Sequence, residues 1–164
     1  MTKELNTDNP DSAPRCAIYT RSASVEDGAE SIPSIQRQQQ SCRAAATRNG
    51  WIVLENHIYT DLSRSGNTLS GRAALGALLA AASTSPRPFD HLLVEEDSRL
   101  ARDLSIVVKI VAELDGLGVH VYLASTGLKS GEATSRLSLS ALTSFKDRFM
   151  QTLKGAVTSK SKSR

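Results

Sequence analysis

Apolar positions along this chain fall into runs of two kinds, short continuous ones and longer ones with helical spacing, and the two alternate. Arg15–Arg21, centred on Cys16-Ala17-Ile18-Tyr19, is a short apolar run of the kind a parallel strand buried on both faces requires. Ser22–Glu30 is polar and loop-like. The pattern then predicts a helix over Ile32–Arg48, with Ser31 as its cap, Pro33 in its first turn and Asn49-Gly50 as its stop. Trp51–Tyr59 alternates as a second strand, and Thr60–Gly71 is a Gly/Ser-rich loop. An Ala/Leu helix over Arg72–Ala82 ends in the breaker Ser83–Pro88. Phe89–Glu95 follows as a third strand, Leu104–Leu117 as an amphipathic helix and Val119–Ala124 as a fourth strand. A last, long helix is predicted from near Ala133 to about Leu153, where Leu139, Leu142, Phe145, Phe149 and Leu153 form an apolar stripe.

Alternating strands and helices predict an α/β fold: a mainly parallel sheet of four to five strands flanked by helices, with a long C-terminal helix. Residues 1–14 read as a flexible N-terminal arm, 15–155 as one folded domain and 156–164 as a basic disordered tail. A length of 164 residues suits a single domain with its own core. The formal charge of +3 permits a nucleic-acid partner without requiring one, and 4% aromatics argue against base-stacking platforms. Cys16 and Cys42 fall at core-facing positions and read as buried free thiols of a reducing, cytoplasmic setting. Scattered histidines and the lack of a CxxC pair give no metal site, and no apolar run reaches the roughly 18 residues of a membrane span.

Chemistry concentrates at two strand ends. Arg21 closes the first strand, while Arg99 and Arg102 follow the third, so an α/β sheet would present all of them at its ligand-binding edge. Guanidiniums stay charged and match phosphate oxygens with a bidentate fork, which points to a phosphodiester. Each residue also has a plainer reading. A lone Arg72 or Arg102 is usually a solvated charge, Gln38 lies in a run of glutamines, and Asp61 suits a turn. His57, His91 and His120 read as packed or surface side chains, and Phe145, Phe149 and Met150 as core. Neither GxGxxG nor GxxxxGK[ST] occurs, so a generic nucleotide-binding protein lacks support.

Several segments in sequence order carry a sharper reading: Tyr19-Thr20-Arg21, Ser34-Ile35-Gln36-Arg37-Gln38, Tyr59-Thr60-Asp61 with Ser65-Gly66 and Arg72, and Ser98-Arg99-Leu100-Ala101-Arg102. Over about residues 15–150 the chain resembles the catalytic domain of serine recombinases, the resolvase/invertase family, and especially its large integrase branch. That resemblance implies a site-specific DNA recombinase of mobile-element type, which cuts and rejoins strands through a phosphoserine and uses no cofactor. It implies that Arg21, Arg99 and Arg102 bind the DNA phosphate, with Arg72 nearby. Gln38 would hold a phosphate or orient an arginine, and Asp61 would buttress the guanidiniums. The resemblance also matches Asp147-Arg148 on the last helix to the family's Glu-Arg. DNA is the implied partner, with a homodimer through the C-terminal helix and a tetramer when active.

One position departs from the pattern. The attacking hydroxyl belongs two residues after Arg21, and that residue is Ala23, whose methyl group cannot attack phosphorus. Ala23 is an engineered replacement of Ser, or the mark of a naturally inactive relative, or the sign that Ser22 or Ser24 serves instead. A one-residue shift on a strand turns the side chain to the opposite face, which places the use of Ser22 or Ser24 last among the three. The longer Gly66–Arg72 interval, Lys146-Asp147-Arg148 and Gly155 favour natural decay. As written, the chain is expected to cleave nothing. The alternative function is a naturally inactive resolvase-like domain that regulates DNA transactions or serves as an oligomerisation partner.

Overall fold

The run Cys16–Arg21 is buried along its whole length because it is an inner strand with helices on both sides. The computed structural model describes residues 13–22, 28–62 and 71–131. Its elements in chain order are β1 (Arg15–Arg21), α1 (Gly28–Asn49), β2 (Ile52–Asp61), α2 (Ala73–Ala82), β3 (His91–Val94), α3 (Asp97–Leu100), α4 (Leu104–Gly116), β4 (His120–Leu123) and β5 (Leu128–Lys129). They form one five-stranded sheet in the order β2-β1-β3-β4-β5. β1 pairs in parallel with β2 and β3, β3 in parallel with β4, and β5 returns antiparallel to β4. The α/β class and mainly parallel sheet expected from the sequence are therefore present.

The strand period of two sorts the core. Ala17, Tyr19, Leu92, Val94, Val121 and Leu123 face the side that α2, α3 and α4 cover with Leu75, Leu78, Leu100, Val107, Ile110 and Leu114. Cys16, Ile18, Leu93 and Tyr122 face the side covered by Cys42, Ala45 and Ala46 of α1. The register is continuous across three strands, with Cys16 beside His91 and His91 beside His120. Between Cys16 and Ile18 the partner on β2 jumps from Val53 to Ile58, so β2 carries a bulge there.

Three details differ from the sequence expectation. α1 begins at Gly28, not after a Ser31 cap, so Pro33 lies inside the helix. Ala29 and Glu30 are good helix formers, and extending the helix through them outweighs the capping preference of Ser31. β2 continues to Asp61, two residues past Tyr59, carrying that carboxylate onto the sheet. α3 and β5, four and two residues long, are too short to leave a period in the sequence. At the other end of α1 the expected stop holds. Gly50 adopts φ +68°, and the N–H of Trp51 returns to the carbonyl of Ala46 at 2.9 Å. Ala23, Ser24, the Ser65-Gly66 pair, the C-terminal helix and the basic tail lie outside the described residues.

Candidate active site

Parallel pairing brings the C-terminal ends of β1, β2 and β3 to one edge, and with them Arg21, Asp61 and the segment from Glu95 to Arg102. At this edge the backbone of Arg21 needs a partner. The next N–H, from Ser22, donates to the carbonyl of Asp61 on β2, so the N–H and C=O of Arg21 point the other way, toward β3. The β1–β3 pairing has ended by then, at Ile18 beside Leu93. The side-chain amide of Gln38 fills the gap. Its Oε1 accepts from the Arg21 N–H at 3.1 Å, and its Nε2 donates to the Arg21 carbonyl at 3.1 Å and to Ser34 Oγ at 3.3 Å. Gln38 is fully buried and acts as a surrogate peptide unit of the missing strand.

Two guanidiniums then lock onto the carbonyls of α3. Arg21, 1% exposed, donates from Nη2 to Ser98 O at 2.7 Å and from Nε to Arg99 O at 3.1 Å. Arg72, 3% exposed, donates from Nη2 to Arg99 O at 3.2 Å and from Nη1 to Leu100 O. The last carbonyls of a helical turn lack intrahelical donors and carry partial negative charge, so a cation is the natural partner. Arg72 also donates to the Tyr19 hydroxyl, from Nη2 at 2.7 Å and Nε at 3.1 Å. That hydroxyl in turn donates to Asp61 Oδ2 at 2.9 Å. Asp61 completes its shell at the start of α2, accepting from Ala74 N at 3.0 Å and Leu75 N at 3.1 Å.

Charge bookkeeping follows from burial. Desolvation, and next the neighbouring Arg72, hold the Arg21 guanidinium below its ordinary value, with Arg102 and Arg99 adding to the repulsion. Burial pushes the Tyr19 hydroxyl well above the usual phenol range, which keeps it protonated and donating to Asp61.

Arg99 is held differently. Its Nη2 lies 3.4 Å from Glu95 Oε2 and 3.2 Å from Glu96 Oε1, while its buried Nε has no hydrogen-bond partner among the described residues. Glu95 Oε1 also meets Nε of Arg37 on α1 at 3.5 Å. Arg102 stands exposed just beyond α3. The structure therefore brings Arg21, Gln38, Asp61, Arg72 and Arg99 into one connected set, with Arg102 at its rim. Asp61 is placed otherwise than expected: it reaches Arg72 through Tyr19 and α2 through two amides, instead of bracing the guanidiniums directly. The sequence reading missed the bridging role of Tyr19 and the presence of Arg37, Glu95 and Glu96. Two acidic residues directly after an apolar strand and before Arg99 were the available signal.

Chemically, the edge offers fixed positive charge with backbone pinned beneath it and one guanidinium that is not fully satisfied. Such a surface suits an anion with several acceptor oxygens. Among the described residues, no group of His, Cys, Asp and Glu could hold a metal ion, and no helix is long and apolar enough to cross a membrane.

Comparison with known proteins gives a consistent likeness. Residues 16–160 match the family model "Resolvase, N terminal domain". The solved N-terminal catalytic domain of TP901-1 integrase is 26% identical, with a TM-score of 0.66 over 85% of this chain and 98% of that one. A resolvase family site-specific recombinase from Streptococcus pneumoniae is 21% identical, with a TM-score of 0.62 over 91% of this chain and 99% of that one. The C-terminal catalytic domain of ISC1926 TnpA, an IS607-like serine recombinase, shares the fold at 22% identity, with a TM-score of 0.56 over 85% of this chain and 84% of that one. No curated protein matches the chain.

Proposed function

Because the chain belongs to the resolvase N-terminal domain family, we propose that it is the catalytic-type domain of a cytoplasmic site-specific DNA recombinase whose nucleophile position is occupied by Ala23. The observation that carries this reading is the arginine set at the C-terminal sheet edge, where Arg21 and Arg72 are anchored on α3 and Arg99 Nε has no hydrogen-bond partner among the described residues. With a serine at the nucleophile position, the reaction of such a core would form a bond from Oγ to phosphorus and break one P–O bond to deoxyribose, the Oγ proton passing to the departing oxygen. The deoxyribose oxygen departs as a hydroxyl. One phosphodiester replaces another, so resealing requires no external energy. Charge on the non-bridging oxygens would be met by Arg99 and Arg102 above the buried Arg21 and Arg72, donors already oriented before reaction. The same reading includes a homodimer through the apolar stripe Leu139, Leu142, Phe145, Phe149 and Leu153, and a tetramer in active relatives.

Ala23 favours a second reading, a non-catalytic relative that regulates a DNA transaction or joins an active recombinase as a subunit. One experiment separates the two. The chain and its Ala23→Ser variant are each fused to a sequence-specific DNA-binding module and incubated with DNA bearing paired module sites. A denaturant-resistant protein–DNA adduct in Ala23→Ser alone supports a recombinase core lacking only its nucleophile. A fusion that binds its DNA but forms no adduct with Ser at 23 favours the non-catalytic role. An adduct with the unaltered chain that disappears in Ser24→Ala makes Ser24 the nucleophile.

A further inference from the structure

Resting on that reading, we propose that Glu96 is a displaceable counter-ion, which holds Arg99 in the free chain and yields it to a phosphodiester oxygen of DNA. The two carboxylates at Arg99 differ in what leaving would cost. Glu95 is 14% exposed and sits between Arg37 and Arg99, so its departure would strand a buried charge. Glu96 is 41% exposed and also accepts from Ser98 Oγ at 2.8 Å, a contact that remains if it releases the guanidinium.

Arg99 is suited to such an exchange. Its contacts at 3.2 and 3.4 Å are longer than the ~2.7–2.9 Å of a well-formed charge-assisted bond. Its Nε–H is buried without a partner among the described residues, which leaves the fork incompletely used there. Its main chain cannot drift during the swap, because its carbonyl accepts from both Arg21 Nε and Arg72 Nη2. A phosphodiester presents two non-bridging oxygens sharing one negative charge, as a carboxylate does, so it can take the place on the guanidinium that Glu96 gives up.

The test uses the full chain with nitrogen-15 label and follows the Nε–H resonance of Arg99, assigned by its loss in Arg99→Lys. Inorganic phosphate is titrated first, then a short DNA duplex. Glu96→Gln is compared with Asp97→Asn, which removes the same charge one residue away, from a carboxylate that forms no ion pair with Arg99 among the described residues. Phosphate should move the Arg99 resonance, with half-saturation at about two- to fivefold lower concentration in Glu96→Gln, as expected for losing a partly exposed ion pair. Asp97→Asn should change it less, and DNA affinity should follow the same order. Equal effects of the two variants, weaker binding by Glu96→Gln or an Arg99 resonance indifferent to phosphate would overturn the exchange. If phosphate gives the expected order but no variant binds DNA, the exchange stands and the DNA reading falls. If all variants bind DNA with Glu96→Gln and Asp97→Asn alike, the DNA reading stands and the exchange falls.

Discussion

Replacing Gln38 by Leu keeps nearly the volume of the side chain and removes both ends of its amide. The N–H and C=O of Arg21, each bonded to Gln38 at 3.1 Å, would then face a buried apolar group with no strand alongside. An unsatisfied buried polar group costs about 1–3 kcal/mol, and partial relaxation of the strand end recovers some of it. We expect a net loss of about 2–4 kcal/mol, a large share of the ~5–15 kcal/mol that holds a domain together. With a urea dependence of about 2 kcal/mol per molar, the unfolding midpoint should fall by roughly 1–2 M at unchanged slope. Gln38→Glu restores only the acceptor and should recover less than half of the loss. The assay is urea unfolding followed by circular dichroism, with Ser34→Ala as a comparison because it deletes only the 3.3 Å contact to Nε2. A Gln38→Leu midpoint within error of the parent would refute the idea that this amide stands in for a strand.

Tyr19→Phe removes the hydroxyl joining Arg72 to Asp61, leaving Arg72 Nε without its partner and Nη2 with only Arg99 O in a buried site; unfolding measurements should show a loss of about 1.5–3 kcal/mol. An unchanged midpoint would mean that water replaces the hydroxyl freely. Burial pushes the thiol of Cys16 up to about 11 and that of Cys42 up to about 12, so the native chain should resist iodoacetamide at about pH 8 while the urea-unfolded chain labels readily. Because the unfolded thiols ionise near 9.0 and the folded ones only at about 11 and 12, the folded state holds more protons in that window. Stability should therefore be intact below about 9 and fall as pH rises through the folded values, and Cys42→Ala should flatten the slope of the unfolding midpoint against pH.

Strands and helices of ordinary length were legible because burial imposes a period on the sequence, and β1 shows this residue by residue: Ala17 and Tyr19 face one core, Cys16 and Ile18 the other. α3 was not legible, since four residues of Asp-Ser-Arg-Leu contain no period, yet its carbonyls are what two arginines grip. Site residues were visible as types at strand ends. Their division of labour was not, because the roles of Gln38 and Tyr19 are set by where β3 stops and where α2 begins. Those are tertiary facts. Likewise, Glu95 and Glu96 are adjacent in sequence and differ in burial and in their second partner, which no local pattern encodes.

The grip of Arg21 and Arg72 on α3 is made through main-chain oxygens of Ser98, Arg99 and Leu100. Those oxygens are present whatever side chains the turn carries. The turn can therefore vary at the half-buried Asp97 and Ser98 and still dock in the same place, with Leu100 held in the core below. The information that fixes the arrangement is held instead by the two forked cations, for which a lysine, with one nitrogen, is no replacement. In engineering terms, α3 is an interchangeable cartridge and β1 with the start of α2 is its socket.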